Sequence, residues 1–169
     1  MAFNPKTLAR EYAFKFLYNF VAQLDLRAPA ATLPLPANLK DLVAEFDASY
    51  RLQDSEHPGN ISTAAIREYA QEYIEGVLTN APTLAARVEP FCTNWKFKNI
   101  DHINQTILLL AAFELLYCPS VPAKVVINEA VNLAKKFGQQ DSFAFVNGIL
   151  DNMAKNNARE RNILIPVAR

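Results

Sequence analysis

From Ile100 to Tyr117 the sequence reads IDHINQTILLLAAFELLY, and every residue from Ile107 to Phe113 is apolar. A helix apolar on all sides cannot lie on a surface and belongs at the centre of a bundle. The run stops at Glu114, far short of the ~20 residues needed to span a bilayer. The sequence is poor in the residues that build turn-rich sheets, with four glycines among 169 residues. Alanine, leucine, glutamate, glutamine and lysine are abundant and favour helix. The expected fold class is therefore all-α, in one domain over residues 1–169, long enough to bury a sizeable core.

Other helices follow from period and punctuation. Leu8, Tyr12, Ala13, Phe16, Leu17, Phe20, Val21 and Leu24 keep helical spacing after an Asn4-Pro5 start, which predicts a helix over about 5–24. Pro29, Pro34 and Pro36 make 25–37 a linker. Asn38 is positioned to cap a helix to about Arg51, and 53–61, with His57-Pro58-Gly59, reads as a loop. Ser62 opens a third helix, expected to end near Asn80 before Pro82, with a separate short helix over 83–91. Val121-Pro122 begins another, stopped by Gly138, and Asp141 or Ser142 can cap a last one. The tail from about 155 is expected to fray. Gly148 lies inside that last helix, where glycine costs about 0.5–1 kcal/mol relative to alanine, so close packing against a neighbour is expected there, with Asn147 bonding across the contact.

The 17 basic and 17 acidic residues cancel, but unevenly. Residues 1–24 hold three bases and one acid, 25–91 five and ten, 92–169 nine and six. Packing the first segment on the last third would give a basic side, opposite an acidic insertion around 25–61. Cys92 and Cys118 form no metal-spaced pair and read as core thiols. The N-terminal residues carry charge and proline where a signal peptide needs apolar sequence, so a cytoplasmic protein is expected.

Chemistry-bearing motifs are sparse. No phosphate loop, nucleophile elbow or zinc-protease pair occurs, and His57 and His102 stand alone, so the chain is read as non-enzymatic with neither cofactor nor metal. Glu68, Glu72 and Glu75 read as a solvated helix face. In NWKFKN (94–99) bases alternate with aromatics, a pattern that holds phosphates while rings stack on unpaired bases. The alternative reading makes Trp95 a core plug between solvated lysines.

Three segments, AREYAFKFLYNF (9–20), VPAKVVINEAVNLAKKFG (121–138) and DSFAFVNGIL (141–150), resemble the NusB family of transcription antitermination factors, and ILLLAAFEL (107–115) is similar to its central helix. The resemblance covers most of the chain apart from about 25–65 and the tail. It implies about seven helices in two packed bundles. It also implies binding of boxA-type single-stranded RNA together with NusE, a ribosomal protein of the small subunit, within the RNA polymerase antitermination complex on ribosomal RNA operons. Homodimers through the RNA-binding face are a further implication.

Residue by residue, Arg10 and Tyr18 match the family's first-helix RNA and partner surface. Phe91 stands where a tyrosine touches RNA. Lys124 and Asp141 match positions near the partner surface, and Asn104 replaces a family acid. Leu109 replaces an arginine, and NPKTLA before Arg10 lacks the arginines usual there. The candidate RNA-binding set is Lys6, Arg10, Lys15, Tyr18, Phe91, Lys96 and Lys98; the candidate partner-binding set is Asn104, Lys124, Asp141 and Ser142. Two alternatives accompany this reading: a NusE-binding interaction module that has lost RNA recognition, and an acidic middle that adds a regulatory or polymerase-facing surface.

Overall fold

The computed structural model describes residues 4–24, 26, 33–53 and 61–164, with backbone alone for 159–164. Among the described residues there are six α-helices: α1 Pro5–Val21, α2 Leu39–Leu52, α3 Ala64–Val88, α4 His102–Tyr117, α5 Ala123–Phe137 and α6 Ser142–Leu164. Two 3-10 turns, Glu89–Phe91 and Phe97–Asn99, lie between α3 and α4. No strand occurs among the described residues, in agreement with the all-α expectation. Residues 54–60 of the loop predicted over 53–61, which include His57, and the last residues 165–169 lie outside the described residues, as do 25 and 27–32 of the predicted linker.

The chain divides into two compact units, Met1–Thr83 and Leu84–Arg169. In the first, the Asn4 side chain accepts from the Lys6 N–H at 3.0 Å and Pro5 occupies the first turn, which starts α1 where its N–H groups lack partners. The aromatic rings of α1 and α2 interlock. Tyr12 meets Phe46 edge-on at 5.1 Å and Tyr50 at 4.9 Å, and Phe16 meets Phe46 at 5.4 Å. The Tyr12 hydroxyl donates to Asp47 at 3.1 Å, and Ser62 donates to the same oxygen at 2.6 Å. Burial, then the Asp47 carboxylate, raise the Tyr12 pKa well above its ordinary value. Arg51 Nε lies 2.9 Å from Asp47, and Arg67 donates to the Ser62 carbonyl at 3.2 Å. One carboxylate thus ties α1, α2 and the entry to α3.

The first helix ends at Val21 rather than about 24, Asn38 makes no side-chain cap bond to α2, and three further boundaries differ from the sequence expectations. Thr63, rather than Ser62, accepts from the Ile66 N–H at 3.3 Å as α3 begins. More importantly, α3 does not end near Asn80 but runs through Pro82 to Val88, absorbing most of the expected separate helix. A proline inside a helix costs about 3 kcal/mol. Here Ala81, Leu84, Ala85 and Val88, all buried, continue the apolar stripe of Ile66, Tyr73, Ile74 and Val77. Burying each large apolar side chain contributes about 1.5–3 kcal/mol, so the stripe outweighs the proline. Nearby carbonyls find other donors: the Leu33 N–H reaches the Thr79 carbonyl at 2.7 Å and the Asn80 side chain the Gly76 carbonyl at 2.8 Å. Third, the tail expected to fray from about 155 is helical to Leu164. Arg87 donates to Asn157 at 3.1 Å and Lys155 pairs with Asp151 at 2.7 Å, which hold that stretch.

In the second unit α4, α5 and α6 pack on one another. Residues Asn104 to Leu115 of α4 are all buried, as its apolar circumference requires. Val126, Ala130, Leu133 and Ala134 of α5 and Val146, Ile149, Leu150 and Met153 of α6 are buried too. No helix among the described residues is long and apolar enough to cross a membrane.

Candidate functional site

The second unit builds a cleft of about 490 Å³ where the starts of α4 and α6 converge. Asp101 caps α4, with Oδ1 accepting from the Asn104 N–H at 3.0 Å. Its other oxygen accepts from Asn104 Nδ2 at 2.7 Å, and the same Nδ2 donates to Ser142 Oγ at 3.2 Å. Ser142 Oγ also accepts from the Gln139 N–H at 3.0 Å, so the serine closes the α5–α6 turn. This turn requires Gly138: a Cβ there would lie 2.6 Å from the Ser142 Cβ and 2.7 Å from the Ala134 carbonyl. Asp141, the residue before α6, is exposed and makes no side-chain hydrogen bond among the described residues, and Ser142 Oγ serves the Gln139 N–H of the turn rather than an N–H of α6.

The aromatic wall comes from the loop between α3 and α4. Trp95 is 57% exposed and Phe97 only 2%, which overturns the reading of Trp95 as a core plug. Phe97 is the plug, because its backbone is held from both sides: its N–H donates to Glu89 at 2.9 Å and its carbonyl accepts from Gln105 at 2.9 Å. With Phe97 pinned inward, Trp95 stands at the cleft mouth and Phe145 of α6 lines it as well. Lys96 lies 3.8 Å from Glu89, an exposed pair worth little in water, and Lys98 is exposed.

Three of the four candidate partner residues, Asn104, Asp141 and Ser142, thus meet at one cleft. Lys124 is exposed in the first turn of α5 and does not line it. Asn104 and Ser142 are 6% exposed each, so both are reached only through the cleft. Asp101, Gln139 and Phe145 also line it and were not singled out from sequence, although Phe145 sits one turn after Asp141 and Asp101 directly precedes the apolar run.

The candidate RNA residues separate by exposure. Arg10 is 3% exposed, its guanidinium 5.8 Å from the Tyr73 ring, so it does not contribute to a basic surface as expected. Lys6 lies over Tyr69 at 5.4 Å, and Lys15 is shared between Glu11 at 3.3 Å and the Tyr50 ring. Tyr18 is exposed and Phe91 half-buried. Leu109 is fully buried in α4, where its apolar side chain fits. Asn147 and Gly148 are exposed, and nothing lies within 4 Å of where a Cβ on Gly148 would stand, so the expected close helix packing there does not occur. Cys92 is buried and its thiol, donating to the Val88 carbonyl at 3.6 Å, is pushed up to about 11, first by burial and then by Glu89.

A sequence profile of the NusB family matches residues 7–155. The transcription antitermination protein NusB of Syntrophotalea carbinolica is 30% identical over 161 residues, covering 92% of this chain and 95% of that one. The protein of the same name from Geotalea daltonii is 44% identical over 88 residues, 52% of this chain and 61% of its own length. Against that relative and its Geotalea uraniireducens counterpart, matched over 59% of its length, the chain thus spans under two thirds of the protein. Among solved structures, T. maritima NusB superposes with a TM-score of 0.66 at 24% identity, over 98% of this chain and 100% of that one. A chain in a crystal structure of a plectonemic RNA supercoil superposes with a TM-score of 0.70 at 22% identity, over 92% and 98%. By profile and by near full-length relative, this chain belongs to the NusB family, whose relatives named above are transcription antitermination proteins.

Proposed function

We propose that this chain is a non-catalytic antitermination factor that binds boxA-type single-stranded RNA together with NusE, in the cytoplasm, as part of the RNA polymerase antitermination complex on ribosomal RNA operons. The observation that carries this reading is the meeting of Asn104, Asp141 and Ser142 at one cleft, with exposed Trp95 and Lys98 beside it, in a chain of this family. Lysines next to an exposed indole suit unpaired nucleotides, whose phosphates they neutralise while the ring stacks on a base. The Geotalea and Syntrophotalea relatives are named for the same activity.

The test is a titration of labelled boxA-type RNA against the chain, with and without NusE, at two salt concentrations. RNA affinity that falls with salt and rises with NusE supports the proposal. Affinity equal to that of an unrelated acidic helical protein, with NusE present, refutes it. Sedimentation of the same samples reads any homodimer and whether RNA dissociates it.

A second reading, a NusE-binding module with weak or lost RNA binding, is favoured by the burial of Arg10 and Leu109, two positions at which the resemblance places RNA-facing arginines. It predicts retention of NusE without RNA, abolished by Asp141→Arg.

A further inference from the structure

Helix α2 hides little of its apolar stripe. Of its 14 residues only Leu39 and Tyr50 are buried, while Leu42, Val43 and Phe46 stay half-buried. Val43 faces a groove of about 400 Å³ between α2 and α3, inside the first unit. Leu39, Val43 and Ile74 are its apolar lining, and Asp47 and Arg67, 3.9 Å apart, close one end. Lys40 and Glu75 stand at the other end, so the two helices run antiparallel along it. From Lys40 to Asp47 the groove spans about 10 Å, two helical turns.

The two rims differ in charge. On α2, positions 40, 44, 47 and 51 form one row by helical spacing, and its exposed cations are Lys40 and Arg51. Asp47, the acid of that row, is 14% exposed on its side chain and already engages Tyr12, Ser62 and Arg51. On α3, Glu68, Glu72 and Glu75 form the opposite row, the first two fully in solvent. Lys40 and Glu75 form no ion pair with each other among the described residues, so the rims stay apart and can each face a third element. That element is a helix. Both walls are helices whose backbone groups are paired within themselves, so an extended segment would find no ladder to join, whereas a helix brings its own hydrogen bonds. Its i, i+4 ridge also matches the spacing of Leu39 and Val43. Three carboxylates along one rim repel phosphate, which disfavours RNA.

We propose that the α2–α3 groove receives a two-turn amphipathic helix of a protein partner. Its apolar ridge lies against Leu39, Val43 and Ile74, its acidic flank faces Lys40 and Arg51, and its basic flank faces Glu68, Glu72 and Glu75. The inference goes beyond the RNA and NusE reading, since none of these residues belongs to the sets assigned to either. Exposed ion pairs are each worth little, so the ridge supplies the affinity and the flanks select the partner.

The test titrates three fluorophore-labelled, stapled helical peptides against the full chain by anisotropy. All carry leucines at i, i+4 and i+7; one has glutamates on one flank and lysines on the other, one lysines on both, one glutamates on both. The mixed peptide should bind saturably, and the one-sign peptides several-fold more weakly. Lys40→Glu makes both rims acidic at that end and should shift the preference toward the lysine peptide. Glu72→Lys combined with Glu75→Lys should shift it toward the glutamate peptide. The wild-type comparison decides the matter even where a variant unfolds. No saturable binding of the mixed peptide, equal affinity for all three, or a preference unmoved by rim variants that fold would each overturn the proposal, as would displacement of the mixed peptide by single-stranded RNA. Lys40→Glu should also bind boxA RNA and NusE as wild type does; loss of either would place the groove in those interfaces and overturn the inference. Failure of the wild-type chain to bind boxA RNA or NusE refutes the proposed function and leaves the peptide result standing.

Discussion

Gly138 ends α5 and Gly148 lies inside α6, and the two call for opposite substitutions. An alanine at Gly138 must displace Ser142, which closes the turn and also holds Asn104, so Gly138→Ala should destabilise by about 1–3 kcal/mol. At Gly148 the space is open, and Gly148→Ala should stabilise by about 0.5–1 kcal/mol in urea unfolding. A loss on Gly148→Ala would contradict the open surface described for it. The sequence reads Gly138 correctly as the stop of α5 but Gly148 wrongly as a packing contact, because period and composition place a glycine inside a helix without saying what stands opposite. Cys92 gives a pH prediction of definite sign. Its folded pKa of about 11 lies above the ordinary thiol value of 9.0, so the folded state keeps a proton the unfolded state releases. That contribution is full below pH 9 and is lost as pH rises toward 11. Wild type should lose more stability across that window than Cys92→Ser, and alkylation at pH 8 should reach Cys118, which is half-buried, well before Cys92.

Helices are where sequence and structure agree most closely, and the exceptions have identifiable causes. The centrality of α4 is readable because an apolar circumference has no alternative to burial, and all of Asn104 to Leu115 is inside. The end of α3 is not, because a proline rule weighs only the backbone, whereas Leu84 and Val88 add burial that a local window cannot assign. Trp95 and Phe97 show the same limit two residues apart: both are aromatic, and the choice of plug is made by Glu89 and Gln105 gripping the Phe97 backbone. The cleft is legible in part, since the resemblance marks Asn104 and Asp141 and the sequence offers Ser142 as a possible cap, while Asp101 and Gln139 contribute through geometry alone. At this scale Asp47 is the informative target, as it receives Tyr12 and Ser62 and pairs with Arg51. Asp47→Ala should cost about 1–3 kcal/mol, leaving the Tyr12 hydroxyl without its acceptor. Hydrogen exchange should show α2 losing protection while α4 keeps it; equal loss in both would mean the network stabilises more than the α1–α2 contact.

For the molecule as a whole, a net charge of zero bounds how strongly RNA can be held. Single-stranded binding weakens with salt by about 0.7 log units per phosphate contact for each log unit of salt. Of the basic residues assigned to RNA, Arg10 is buried and Lys15 is paired with Glu11, which leaves Lys6, Lys96 and Lys98. Lys96 stands beside Glu89 but is 72% exposed on its side chain and free to exchange partners. Three such contacts give an expected slope of about −2 in a plot of log affinity against log salt. Lys98→Ala should make the slope shallower by about 0.7. Asp141→Asn should leave it unchanged, since that carboxylate is not among the cations that neutralise phosphate. A measured slope near −5 would require cations beyond these three, and Arg10→Gln would then decide whether the buried guanidinium emerges when RNA binds: loss of about 0.7 from the slope means it does, and no loss sends the search to the bases outside this set.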